Sequence, residues 1–215
     1  MTHPWKVTPK EAFAIQEALR RRVVPRWDRR RKVRRVAGAD MSVKGGRARA
    51  AVAVLSFPEL EPVEEAIFEG PVPFPYVPGL LSFRECPPLL EAFHRLRTRP
   101  DLLIADGQGI AHPRGLGLAA HLGVLLELPA VGCAKSRLCG EYDPPGPEAG
   151  SRSELRFRGE VVGAVLRTRS RVKPVFVSIG HRIDLEHAVA FTLACCRGFR
   201  LPEPTRAAHR AAALR

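Results

Sequence analysis

Leu102-Leu103-Ile104-Ala105-Asp106-Gly107-Gln108-Gly109 joins four apolar residues to an acid and a glycine-rich turn. An apolar run without polar alternation reads as a short buried strand. Ala130–Ala134 repeats the pattern, and residues 116–128 between them set Leu118, Leu122 and Leu125 on one helical face. A helix over 88–97, with Leu89, Phe93 and Leu96 on one side, precedes the first of these strands. Upstream the period changes. Residues 33–41 read as a strand ending at Asp40, Gly45-Gly46 as a turn, 48–57 as a second strand and 64–68 as a third, an antiparallel meander. Downstream, 154–158 and 161–167 form a hairpin around Gly159-Glu160, and 175–179 is a strand. Asp184 caps a helix to Arg197 closed by Gly198, and a short helix follows Pro204. At the start, Thr8-Pro9-Lys10-Glu11 is a capping box opening a helix with Ile15, Leu19 and Val23 on one stripe, ended by Pro25. A meander followed by alternating helix and strand predicts an α/β fold with a mixed sheet flanked by helices.

The chain has 215 residues, a length that suits one domain over 1–215. At 45% hydrophobic and 27% charged residues it is neither disordered nor collagen-like. Thirty-five basic against 22 acidic residues leave a net charge of +13, which points to an anionic partner such as nucleic acid. Arginine supplies 29 of those 35, a bias that codon composition also produces. The run Arg29-Arg30-Arg31-Lys32 is by default a solvated face. No apolar stretch approaches the ~18 residues of a membrane span, and residues 1–10 hold no signal-peptide core. Five cysteines with no CxxC pair argue against a disulfide framework or a zinc ribbon. The expectation is a cytoplasmic protein with reduced thiols and no membrane contact.

Asp40 and Asp106 each follow an apolar strand and precede a loop. Either alone reads as a turn aspartate. Brought together at the carboxyl ends of strands, two carboxylates repel unless a cation binds between them, and Mg²⁺ is held in this way alongside substrate phosphate oxygens. Gly79 and Gly107-Gln108-Gly109 allow main chain to approach a ligand closely. Residues 73–78, Pro-Phe-Pro-Tyr-Val-Pro, are stiff and extended. Phe74 and Tyr76 there are either core aromatics or a rigid platform for stacking on bases. Lys135 follows Ala134 and emerges at the sheet end of Asp106, where it can neutralise phosphate charge. His112 follows shortly after the first apolar strand.

Two ordered segments carry a resemblance. Tyr76-Val77-Pro78-Gly79-Leu80-Leu81-Ser82-Phe83-Arg84-Glu85 and Asp106-Gly107-Gln108-Gly109-Ile110-Ala111-His112-Pro113-Arg114 resemble the two hallmark segments of the endonuclease V family. Gly38-Ala39-Asp40, Cys133-Ala134-Lys135-Ser136 and Pro202-Glu203-Pro204-Thr205-Arg206 are similar to further family segments, so the likeness runs over about residues 8–210. The resemblance implies an RNase H-like fold. It implies a metal-dependent nuclease acting on deaminated adenine, nicking inosine-containing DNA at the second phosphodiester bond 3′ to the lesion, or inosine in RNA.

By position, the resemblance makes Asp40, Glu85 and Asp106 the acidic cluster for Mg²⁺, with Mn²⁺ as a substitute. It adds His209 on the metal side and sets His112 and Lys135 near the scissile phosphate. Residues 75–78, including Tyr76 and Pro78, become the wedge at the lesion, and Gly79, Leu81 and Gly107 the base pocket. Gln108 stands where several members have His, and Cys86 where Gly is common. The working expectation is a monomeric enzyme. Its rivals are a non-catalytic binder of inosine or branched nucleic acid, and a structure-selective nuclease of the same fold class.

Overall fold

The computed structural model describes residues 3–213; the outermost two residues at each end of the expected domain lie outside the described residues. In chain order the elements are α1 (Pro9–Arg20), β1 (Arg35–Lys44), β2 (Arg47–Ser56), β3 (Pro62–Pro71), α2 (Leu81–His94), β4 (Leu102–Ala105), α3 (Leu118–Leu126) and β5 (Ala130–Ala134). Then follow β6 (Arg152–Phe157), β7 (Glu160–Leu166), β8 (Val175–His181), α4 (Leu185–Ala194) and α5 (Glu203–Ala212). The strands form one sheet ordered β3-β2-β1-β4-β5-β8-β7-β6. β1, β4 and β5 run parallel, and every other pairing is antiparallel. The mixed sheet expected from the pattern is therefore present.

All four residues of β4 are fully buried, as a central strand covered on both faces requires. On one face Ala37, Ala39, Val52 and Leu103 meet Cys86, Leu89 and Ala92 of α2 and Leu118 and Leu122 of α3. On the other, Ile104, Val131 and Val177 meet Ala188 and Val189 of α4, while Ala53 meets Ala207 and Ala208 of α5. The small residues of β1 and β2 let α5 come close. A Cβ on Gly38 would run into the carbonyl of Pro204.

Several boundaries differ from the pattern, each for a physical reason. β1 does not end at Asp40 but pairs with β2 as far as Lys44, because the antiparallel ladder continues to the Gly45-Gly46 turn. α2 begins at Leu81 and not at Pro88, with Pro87 and Pro88 inside it. Burial of Phe83, Cys86, Leu89 and Ala92 along one side outweighs the hydrogen bonds those prolines forfeit. The capping box at Thr8 and Glu11 forms, but α1 stops at Arg20, and its buried face is centred on Ala12 and Gln16 instead of the Ile15 stripe. Asp184 caps α4 as expected, though the helix closes at Ala194. The hairpin turns at Arg158-Gly159, both with positive φ.

Candidate active site

β4 stops opposite Ala39 of β1, and the Asp106 amide still reaches the Ala39 carbonyl at 3.3 Å. Asp40 and Asp106 thus flank the point where two parallel strands part, the usual place for a site in such sheets. α2 brings in Glu85, whose carboxyl is pushed up to about 8, first by burial and then by the charges of Asp40 and Asp106. Burial also raises Asp106, opposed by Lys135. Lys135, just past β5, forms an ion pair with Asp106. α5 holds His209 so that its Nδ1 bonds to Asp40 Oδ2 at 2.6 Å.

The donor set fits a hard divalent cation: carboxylates close enough to raise one another's proton affinity, with Glu85 receiving no hydrogen bond among the described residues. Among the described residues no three Asp, Glu, His or Cys side chains converge tightly enough to hold a metal unaided. Mg²⁺ characteristically takes only one or two carboxylates and completes its shell with water and phosphate oxygens.

Beside the acids lies a cavity of about 360 Å³, within the ~300–1,000 Å³ range of small-ligand sites. Asp106 and Lys135 form one wall, and Tyr76, Pro78, Gly79, Leu81 and Gly107 others, so all five expected pocket residues line it. The two aromatics of residues 73–78 separate cleanly. Phe74 is 5% exposed and meets Phe83, whereas Tyr76 is 68% exposed at the pocket rim. Gln108 is buried in the wall; its Nε2 donates to Ser136 O at 2.9 Å, and its Oε1 has no partner among the described residues.

The turn at Gly79 is held from behind. Its φ is +76°, and a Cβ there would stand 2.6 Å from an Arg114 nitrogen. Its carbonyl accepts from Gln16 Nε2 at 3.0 Å, His112 Nε2 at 3.0 Å and Arg114 Nη2 at 2.7 Å. His112 Nδ1 accepts from the Arg114 amide, which fixes the neutral tautomer, and burial lowers the ring to about 4. His112 therefore braces the pocket turn in this structure. Neither Gln16 nor Arg114 was singled out by sequence reasoning. A glutamine in line with Ala12 on the inner face of α1 was the available signal.

Clustered carboxylates that repel each other, and would repel a phosphodiester, are of no use to a protein that only binds nucleic acid. Paired with a lysine at the end of parallel strands, they define a phosphodiester-cleaving nuclease. The family model for endonuclease V matches residues 17–210. An endonuclease V of Dehalococcoides mccartyi is 53% identical over 213 residues, covering 98% of this chain and 95% of the relative. The crystal structure of Streptomyces avermitilis endonuclease V superposes with a TM-score of 0.91 at 44% identity, covering 99% of this chain and 94% of that one. Ciona intestinalis endonuclease V, solved in complex with a 24mer DNA containing an inosine followed by a ribo-adenosine, is 28% identical with a TM-score of 0.81, and 94% of each chain is covered. The chain belongs to the endonuclease V family. No helix among the described residues is long and apolar enough to cross a membrane.

Proposed function

We propose that this protein is a single-domain, monomeric, cytoplasmic repair endonuclease that accepts hypoxanthine in DNA and nicks the second phosphodiester bond on its 3′ side. The carrying observation is that Asp106 and Lys135 belong both to the acid cluster and to the wall of the base-sized cavity, so recognition and hydrolysis are contiguous. The inosine-containing DNA of the Ciona complex supports the choice of lesion.

Asp40, Glu85 and Asp106 would hold Mg²⁺, or Mn²⁺ in its place, which when bound would supply activation of the attacking water and charge stabilisation at the leaving 3′ oxygen. His209 orients Asp40. Lys135 offsets charge on the phosphate in the transition state. Attack in line leaves 3′-hydroxyl and 5′-phosphate ends. Tyr76 fills the gap left by the extruded base, and Pro78, held by its neighbours, stiffens the wedge. Hypoxanthine carries a ring N–H and a carbonyl where adenine has a bare ring nitrogen and an amine. Main-chain groups of the turns at Gly79 and Gly107, which line the cavity, pair with that N–H and carbonyl and are mismatched to a bare nitrogen and an amine. The weaker pairing of inosine lowers the cost of flipping. His112 positions the Gly79 turn.

End-labelled duplexes carrying one inosine or the matched adenine, and a four-way junction, are incubated with Mg²⁺ and with chelator. A single metal-dependent nick near inosine is expected. Tight binding without cleavage, or preference for the junction, would overturn the proposal.

A further inference from the structure

A second hollow of about 430 Å³ opens on the other side of Lys135. Its wall contains Lys135, Phe199, Arg200, Arg206, His209 and Arg210, and among the described residues no carboxylate lines it. It is continuous with the acids at two points, since Lys135 pairs with Asp106 and His209 bonds to Asp40. It differs in kind from the base cavity, which it shares only through Lys135.

Three features suit it to a nucleotide chain. Phe199 is 46% exposed, so its ring keeps open surface on which a base can stack. The Arg206 guanidinium lies 3.3 Å from the Phe199 ring centroid and is itself ion-paired to Glu203, so the ring is backed by a fixed cation. Arg210, exposed on α5, has no side-chain partner among the described residues, and Arg200 keeps a buried Nε without one. Arg200 is otherwise tied to the carbonyls of Lys135 at 2.6 Å and Pro174 at 2.8 Å, which fixes its place beside the catalytic lysine.

The geometry points to a subsite for the cleaved strand beyond the scissile bond, with Arg210 on its phosphates and Phe199, backed by Arg206, stacked on a base. This rests on the proposed function. A strand with its lesion base in the first cavity and its cut at Asp106 and Lys135 on the 3′ side continues, in the same direction, into the second hollow. Stacking tolerates any base, so the subsite adds affinity without adding sequence preference.

The test uses inosine duplexes whose cleaved strand ends two, three, four or eight nucleotides past inosine. KM and kcat are measured in Mg²⁺ for the wild type, Phe199→Ala, Phe199→Tyr and Arg210→Ala. In the wild type, KM is expected to rise about tenfold as the 3′ extension shrinks to two nucleotides, the equivalent of ~1.4 kcal/mol. Phe199→Ala is expected to raise KM on the longer substrates and to lose most of the dependence on truncation, with Phe199→Tyr restoring the wild-type pattern. Arg210→Ala is expected to lose part of the same dependence. The loss falls on KM and not on kcat. Both replaced residues are exposed, and unchanged thermal unfolding confirms intact folds. Variants that respond to truncation as the wild type does, or a loss confined to kcat, would overturn the subsite. Failure of the wild type to cut any inosine duplex would instead overturn the proposed function.

Discussion

The hollow beside Gly107 and the hollow beside Phe199 share Lys135, yet they are made of different materials. The first is walled by turns of main chain at Gly79 and Gly107, by Pro78 and by side chains locked from behind. The second is walled by long cations around one exposed ring. Rejecting adenine for a base of almost the same size needs a surface that cannot relax, and fixed main chain supplies it. Gripping a polyanion needs a charge that can follow its ligand, and the exposed Arg210 supplies it. One side of Lys135 is thus built to discriminate and the other to hold.

The largest effect expected from attacking this contrast is on the rigid side. The glycines after Asp106 are not equivalent. A Cβ on Gly109 would collide with the Ile179 carbonyl of β8, whereas one on Gly107 would meet only side-chain atoms of Leu118, its Cβ and Cδ2, at 3.2 Å. Gly109→Ala should destabilise the protein by at least ~3 kcal/mol, a fall in Tm of about 6–12 °C. Gly107→Ala should lose much less Tm than Gly109→Ala and lose inosine cleavage through a narrowed cavity. Thermal unfolding of both checks this, and equal losses of stability would remove the distinction between weld and wall.

Next in size is Tyr76→Ala. Base–aromatic stacking is worth ~1–3 kcal/mol, so the affinity ratio of inosine over matched adenine duplex should fall by about one to two orders of magnitude. Binding to undamaged duplex should hardly change, because the cations beyond Lys135 are untouched. Titrations in Ca²⁺ measure the ratio, and an unchanged ratio would move the wedge to Pro78 or another segment.

The most gradual effect, spread over several pH units, is on acid stability. His112 is lowered to about 4 and His121 to about 3 by burial, against an ordinary value of 6.5. The fold holds both rings neutral, while the unfolded chain protonates them below pH ~6.5. Their contribution to stability is thus complete above pH ~6.5 and is lost progressively as the pH falls towards 4 and then 3. His121 bonds to Ser82 Oγ at 3.0 Å, directly behind the pocket. Urea midpoints measured from pH 7.5 to 4.5 should decline below pH ~6.5, and His121→Asn should decline less steeply.

The sequence made one layer of this readable and hid another. β4, β5 and the meander follow from apolar runs and turn residues, because a buried strand leaves a local signature. The start of α2 did not, since Pro87-Pro88 imitate a helix start while the decisive burial of Phe83 and Cys86 is tertiary. The position of Asp40 against Asp106 depended on where β4 leaves β1, a matter of register between segments more than 60 residues apart. Asp40, Glu85, Asp106, Lys135 and His209 were legible as a group only through the family resemblance. The bracket of Gln16, His112 and Arg114 on one carbonyl joins three separate segments, and no spacing along the chain encodes it. The pairing of Phe199 with Arg206 was likewise unread, because a loop and a helix start stand between a ring and the cation that covers it.

Asp106 belongs to both the discriminating wall and the acids, so replacing it separates recognition from chemistry most directly. On one preparation of Asp106→Asn, the inosine-to-adenine affinity ratio is measured in Ca²⁺ and the single-turnover nicking rate in Mg²⁺, each against wild type. The expected result is a ratio within about tenfold of wild type and a nicking rate reduced by ~10³-fold or more, because the carboxylate acts mainly in the transition state. Nicking by Asp106→Asn at a rate near wild type, or equal loss of nicking and inosine binding, would contradict the assignment of hydrolysis to the acid cluster.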